Sequence, residues 1–165
     1  MSSADRRLLI VRPGECRLED GPAPVPAAGE VLVRVALAGF CRTDLKCIQV
    51  GHPDLVCPRV PGEEVVGVVA ACGPGVAGPA PGTRVWIYPG TCCGSCRMCR
   101  QGAGNLCAAM RITGFHRDGG FARFLTAPAT ACVPLDDALP DERAIFAEPL
   151  SCCLNALELL RLRPG

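Results

Sequence analysis

Apolar residues fall in short runs, and Pro or Gly separates one run from the next. Leu8 to Val11, Cys16 to Glu19 and Val31 to Ala38 read as strands. In the third run Val31, Val33, Val35 and Leu37 alternate with Leu32, Arg34, Ala36 and Ala38, so one face is clearly the more apolar. Thr43 to Val50 fits one or two helical turns with Thr43 as N-cap. Val65 to Ala71, Arg84 to Tyr88, Phe121 to Thr126 and Cys132 to Leu135 add further strands. Many short strands joined by turns predict a mainly β chain built as a small barrel rather than a parallel sheet. The period changes at the C-terminal end, where Leu150, Cys153, Leu154, Leu157 and Leu160 occupy one face of a helix. Pro149 suits its first position, Glu148 sits at its positive end, and Pro164-Gly165 stops it.

Composition narrows the classes. The 165 residues suffice for one domain with its own core. A net charge of +1 with no basic stripe argues against a nucleic-acid partner. No apolar run has membrane-spanning length, and MSSADRRLLIVR has no signal-peptide core, so a cytoplasmic home is expected. In a reducing compartment 13 cysteines mean metal or catalysis before disulfides. His52, in a Gly-His-Pro turn, reads as exposed, and His116 as a turn residue rather than a ligand. Cys47, Cys57, Cys72, Cys132, Cys152 and Cys153 read as small buried apolar residues. Gly73-Pro-Gly-Val-Ala-Gly78 has dinucleotide-fingerprint spacing, but Pro79-Ala-Pro-Gly82 follows and opens no helix, so it reads as a turn.

Two stretches carry chemistry. Pro61-Gly-Glu63-Glu64-Val-Val-Gly67 sets two acids before a β-branched run. Neighbours in a strand point to opposite faces, so the two acids have different roles, unless both are solvated turn residues. Cys93-x2-Cys96-x2-Cys99-x7-Cys107 spaces four thiols as one loop around a tetrahedral zinc, with Gly94, Gly102 and Gly104 supplying the bends. Four thiolates leave no open position, so such a site is structural; a disulfide pair or coincidence are the alternatives. Cys92 reads as a bystander that could replace Cys93.

Six ordered motifs carry a resemblance: Gly39-Phe-Cys41-Arg-Thr43-Asp44, Val60-Pro-Gly-Glu63-Glu64, Pro81-Gly-Thr-Arg-Val85, the cysteine loop, Asp118-Gly-Gly-Phe-Ala122 and Glu148-Pro-Leu-Ser151. With these the chain resembles the zinc-containing medium-chain dehydrogenase/reductases of the alcohol, sorbitol and threonine dehydrogenase group. The resemblance implies a GroES-like, partly open β-barrel with short helices over residues 1–148, with the zinc loop at 91–108. Residues 149–165 would begin the helix that leads to a Rossmann domain binding NAD(P). It implies a structural zinc on Cys93, Cys96, Cys99 and Cys107, and a catalytic zinc on Cys41, Glu63 and Glu148. Glu148 in this setting is similar to the polyol and threonine dehydrogenase branch. Thr43 matches the hydroxyl that relays the substrate proton, Asp44 an acid near the zinc cysteine, and Glu64 a neighbour able to enter the zinc shell. Lys46 lies near a relay position but reads as solvated. The implied reaction is oxidation of a primary or secondary alcohol or polyol, the hydroxyl pKa being lowered by the metal before hydride passes to nicotinamide.

The chain departs from that pattern twice. Position 63 is glutamate where the family has a histidine ligand. Thiolate plus two carboxylates carry −3 instead of −2, which weakens the zinc as a Lewis acid or loses it. The sequence also stops at Pro164-Gly165, where relatives enter the cofactor domain, so a truncated gene, a fragment or an isolated domain is expected, inactive alone. In this family the pocket is shared with the cofactor domain and often with a second subunit, so a homo-oligomer or a separate Rossmann-domain chain are the implied partners. The competing expectation is a non-catalytic, zinc-stabilised GroES-like binding or oligomerisation module.

Overall fold

The computed structural model describes residues 4–161. β1 (Ala4–Arg12) and β2 (Glu15–Pro22) form an antiparallel hairpin. Both outrun the apolar alternation because cross-strand ion pairs extend the ladder: Arg6 faces Asp20 at 2.9 Å and Arg7 faces Glu19 at 2.6 Å. In chain order there follow β3 (Glu30–Ala38), α1 (Arg42–Gln49), β4 (Val65–Cys72), β5 (Arg84–Ile87), β6 (Gly90–Thr91), α2 (Arg97–Arg100) and β7 (Arg111–Ile112). β8 (Phe124–Pro128), β9 (Cys132–Pro134), α3 (Asp141–Ala144) and α4 (Ala147–Leu160) complete the fold.

The main sheet is antiparallel in the order β8-β3-β4-β5-β9 and does not close on itself. The β1–β2 hairpin leans on the rest through single bridges at Arg7–Ala122 and Ile10–Arg59, which makes the expected partly open barrel. Val31, Val33, Val65, Val69, Val85, Ile87 and Leu125 form its core. Fully burying each such side chain stabilises by about 1.5–3 kcal/mol. A register shift between Val35 and Leu37 turns the end of β3, so that Leu37 joins a second cluster around Val66, Ala144 and Ile145. Val65 packs in the first cluster and Val66 in the second. Both faces of β4 are covered where it begins, and this is why its sequence is a continuous β-branched run.

Several local expectations change. Phe121–Ala122 are not in β8, which begins at Phe124; the preceding Gly119–Phe121 instead bond to the segment 60–62. Cys41, not Thr43, is the N-cap of α1. α4 begins at Ala147, so Pro149 is its third residue, still within the first turn where backbone N–H groups lack intrahelical partners. The helix ends at Leu160, Arg161 turns left-handed, and Pro164-Gly165 lie outside the described residues. Leu150, Leu154 and Leu157 are each more than half exposed, so the apolar face of α4 is uncovered. Cys152 and Cys153 are therefore exposed rather than buried, whereas Cys47 and Cys132 are buried and Cys57 and Cys72 half-buried. His52 is half-buried, packed edge-on against Phe115. Gly73–Gly78 is a turn between β4 and β5. No helix among the described residues is long and apolar enough to cross a membrane.

Candidate metal centres

The cysteine loop is clamped at its base where β6 pairs with β7. Gly94 and Gly102 turn at positive φ, whereas Gly104 does not. The Sγ atoms of Cys93, Cys96, Cys99 and Cys107 lie within 4.8 Å of one another. Their closer separations are 3.4 Å for Cys96–Cys99, 3.6 Å for Cys93–Cys107, and 3.9 Å for Cys93–Cys99 and Cys96–Cys107. Four sulfurs at about 2.3 Å from one tetrahedral zinc stand about 3.8 Å apart, so the four fit the ion. Backbone N–H groups of Cys96 and Cys99 donate to the sulfurs of Cys93 and Cys96 at 3.4 and 3.5 Å, favouring thiolate. Such donors, from Ser95 and Cys96, bring Cys93 down to about 6. Desolvation and neighbouring thiols push Cys99 up to about 12, a proton that metal binding displaces. Cys92 is exposed and outside the four.

The second candidate is assembled from three segments. Cys41 opens α1, and the Asp44 carboxylate accepts its backbone N–H at 2.9 Å and that of Gly62 at 3.0 Å. Asp44 is only 4% exposed, so one buried carboxylate ties the start of α1 to the Pro61-Gly-Glu-Glu turn. The sequence alone gave Asp44 no stated role; the signal was its N3 position after a residue able to cap. On the other side Gly119, Gly120 and Phe121 donate to the carbonyls of Val60, Gly62 and Pro61 at 2.8, 2.8 and 3.0 Å. A Cβ on Gly119 would overlap the Gly62 carbonyl, so the Gly-Gly pair is what lets the two segments meet. Asp44→Ala should strand two N–H groups, one fully buried, at about 1–3 kcal/mol each. Urea denaturation should show a loss of at least about 2 kcal/mol; a loss below 0.5 kcal/mol, the scale of an ordinary surface change, would contradict this tie.

Glu63 and Glu64 precede β4 instead of lying in it, yet they diverge as alternation suggested. The Glu63 carboxylate reaches Cys41 Sγ at 3.6 Å. The Glu64 carboxylate lies over Gly39, where a Cβ would overlap it. Glu148, in the first turn of α4, lines with Glu63 a cavity of about 290 Å³. Tyr88, Asn105, Met110 and Ile112 form other parts of its wall. Burial pushes Cys41 up to about 11, outweighing the Asp44 backbone N–H and then the Thr43 hydroxyl, which favour the thiolate. Lys46 is exposed.

Burial, then the charges of Glu148 and Asp44, push Glu63 up to about 7, and burial followed by the same two acids raises Glu64. A carboxylate crowd of this kind suits a divalent cation. Sulfur and oxygen ligands of one zinc, at about 2.3 and 2.1 Å, stand about 3.6 Å apart, which the Cys41–Glu63 pair matches. The donors therefore fit the ion chemically, but Cys41, Glu63 and Glu148 do not converge: among the described residues only the four-cysteine group brings three or more ligand atoms within 4.8 Å.

The raised pKa of Glu63 sets a pH dependence. The native state holds this proton more tightly than the unfolded chain, so its contribution to stability is full below the ordinary carboxylate range and is lost as pH rises through about 7. With no more than one equivalent of zinc present, Glu63→Gln should exceed wild type at pH 8 by up to about 2 kcal/mol, discounted for partial exposure. The two should coincide at pH 4. Denaturation at both pH values checks this, and an equal gap at both would refute it.

The sequence profile of the alcohol dehydrogenase GroES-like domain matches residues 27–137. D-altritol 5-dehydrogenase of Agrobacterium fabrum is 34% identical over 151 residues, covering 92% of the chain and 45% of that protein. The short chain alcohol dehydrogenase (rspB) from Escherichia coli CFT073, solved with NADH, superposes with a TM-score of 0.89 at 34% identity, covering 94% of the chain and 45% of its own. A putative zinc-binding dehydrogenase from Sinorhizobium meliloti 1021, bound to NADP, gives 0.89 at 32% identity, covering 95% and 46%. The chain thus spans about half the length of the relatives it matches.

Proposed function

Since the chain belongs to the alcohol dehydrogenase GroES-like domain family, we propose that it is the metal-binding half of an NAD(P)-dependent dehydrogenase acting on a small alcohol or polyol. The observation that carries this is the 3.6 Å contact of Cys41 with Glu63 on a cavity that Glu148 also lines. Cys93, Cys96, Cys99 and Cys107 would hold a structural zinc, and Cys41, Glu63 and Glu148 a second ion. That second ion would supply a Lewis acid able to lower the pKa of a substrate hydroxyl. Thr43, beside Cys41, would carry the released proton outward on its hydroxyl, while Asp44 fixes Cys41 and the Gly62 backbone. Tyr88, Met110 and Ile112 would give the cavity an apolar wall for a carbon chain to pack against. NAD(P) would be held outside residues 4–161, because the glycine-rich turn at 73–78 opens no helix.

Metal analysis tests this reading. The expected result is one tight zinc and a second that is substoichiometric and lost in Cys41→Ser and Glu148→Gln, with the first retained. A second ion indifferent to both substitutions would overturn it. The failure of Cys41, Glu63 and Glu148 to converge favours the competing reading, a zinc-stabilised module with no catalytic metal. A single equivalent under saturating zinc would support that one.

A further inference from the structure

A second cavity, of about 240 Å³, is walled by β1, the start of β3, β8 and parts of the 117–122 segment. It shares no lining residue with the cavity of Glu63 and Glu148. Asp5 forms part of its wall and is only 1% exposed. One oxygen of that carboxylate accepts the backbone N–H of Phe124 at 3.0 Å. Among the described residues Asp5 has no ion-pair partner, whereas the other charges of the wall are paired. Arg7 meets Glu19 at 2.6 Å, Arg117 meets Glu30 at 2.7 Å, and Asp118 meets Arg59 at 2.9 Å. One negative charge is therefore left without a counter-charge, at a depth where an unpaired ion is costly.

We propose that this cavity binds a small organic monocation, a short primary alkylammonium. Its N–H groups donate to Asp5, and its carbon chain lies along Val60, Phe124 and Leu125, which also line the space. The wall favours that class over a bare metal ion. Hard cations collect six or more oxygens. Here the carboxylates of Glu30 and Asp118 are engaged by arginines, which leaves Asp5 and the Thr126 hydroxyl outside the ion pairs. An ammonium has three N–H groups and is served by these few acceptors. A water takes about 30 Å³, so the cavity has room for an alkyl chain beside the charged head.

Proton–nitrogen correlation NMR of the 165-residue chain with one equivalent of zinc, titrated with n-propylammonium chloride, tests this. The amide signals of Asp5 and Phe124 should shift to saturation. Potassium chloride at equal ionic strength, and 1-propanol, which lacks the charge, should give no saturating shift. Asp5→Asn keeps an oxygen able to accept the Phe124 N–H. It should weaken propylammonium by roughly tenfold or more, because a charge-assisted hydrogen bond becomes a neutral one. Ala122→Leu, which fills the cavity from its wall with Asp5 intact, should weaken it likewise. No saturating shift in the unsubstituted chain, the same saturation with potassium or 1-propanol, or an affinity unchanged in either variant would overturn the proposal.

Discussion

Cys96→Ser should abolish the tight zinc binding proposed for the four cysteines and unravel the segment between β6 and β7. The loop has almost nothing else to hold it. α2 buries none of its residues, and of the loop only Cys107 is buried. Two residue pairs join β6 to β7. Structural zinc sites of this type contribute on the order of 10 kcal/mol to folding, far more than the remaining contacts of the loop. Removing one ligand also opens the site to water and leaves three thiols that compete with protons for the ion. The expected outcome is a fall from one tight equivalent to near zero, with fast amide exchange across residues 91–110. The β8-β3-β4-β5-β9 sheet should stay protected, since its core contains no loop residue. Cys92→Ser, outside the four sulfurs, should retain the ion. Tight zinc persisting in Cys96→Ser would sink the assignment.

That loop was legible in the sequence because its chemistry is local: four donors within fifteen residues need little more than glycine bends to meet. The strands were legible for a related reason, as alternation and Pro-Gly punctuation report burial over a few residues at a time. What the sequence did not reveal depends on contacts between distant segments. The tie from Asp44 to Gly62 spans 18 residues, and the strand expected from Phe121 is displaced because Gly119–Phe121 bond to residues 60–62 instead. Cys152 and Cys153 read as buried because a free cysteine behaves as a small apolar residue, but residues 150–160 of α4 are all exposed. Glu63 is the intermediate case. Its oddness was visible as a glutamate at a ligand position, whereas its contact with Cys41 and its crowding by Glu148 and Asp44 needed three segments in space.

Glu63→His should bring the second site from partial to near-full occupancy. A neutral imidazole removes one of three negative charges from the Cys41, Glu63 and Glu148 set and adds a nitrogen donor well suited to zinc. It also relieves the repulsion that Glu148 and Asp44 exert on the Glu63 carboxylate, the same repulsion that pushes its pKa up to about 7. Burial and the neighbouring acids hold a proton on Glu63 that must leave before the carboxylate can bind, and an imidazole near its ordinary pKa of about 6.5 carries no such added burden. Together these should tighten the second ion by roughly tenfold or more, the scale on which even supporting-shell changes act. Competition with a chromophoric chelator at pH 7 reads that change directly, with the four-cysteine zinc as internal reference. The gain should shrink at pH 8.5, where Glu63 is already ionised and its proton no longer competes. An affinity unchanged at pH 7 would mean that residue 63 does not face the metal, and the contact between Cys41 and Glu63 would then belong to packing alone.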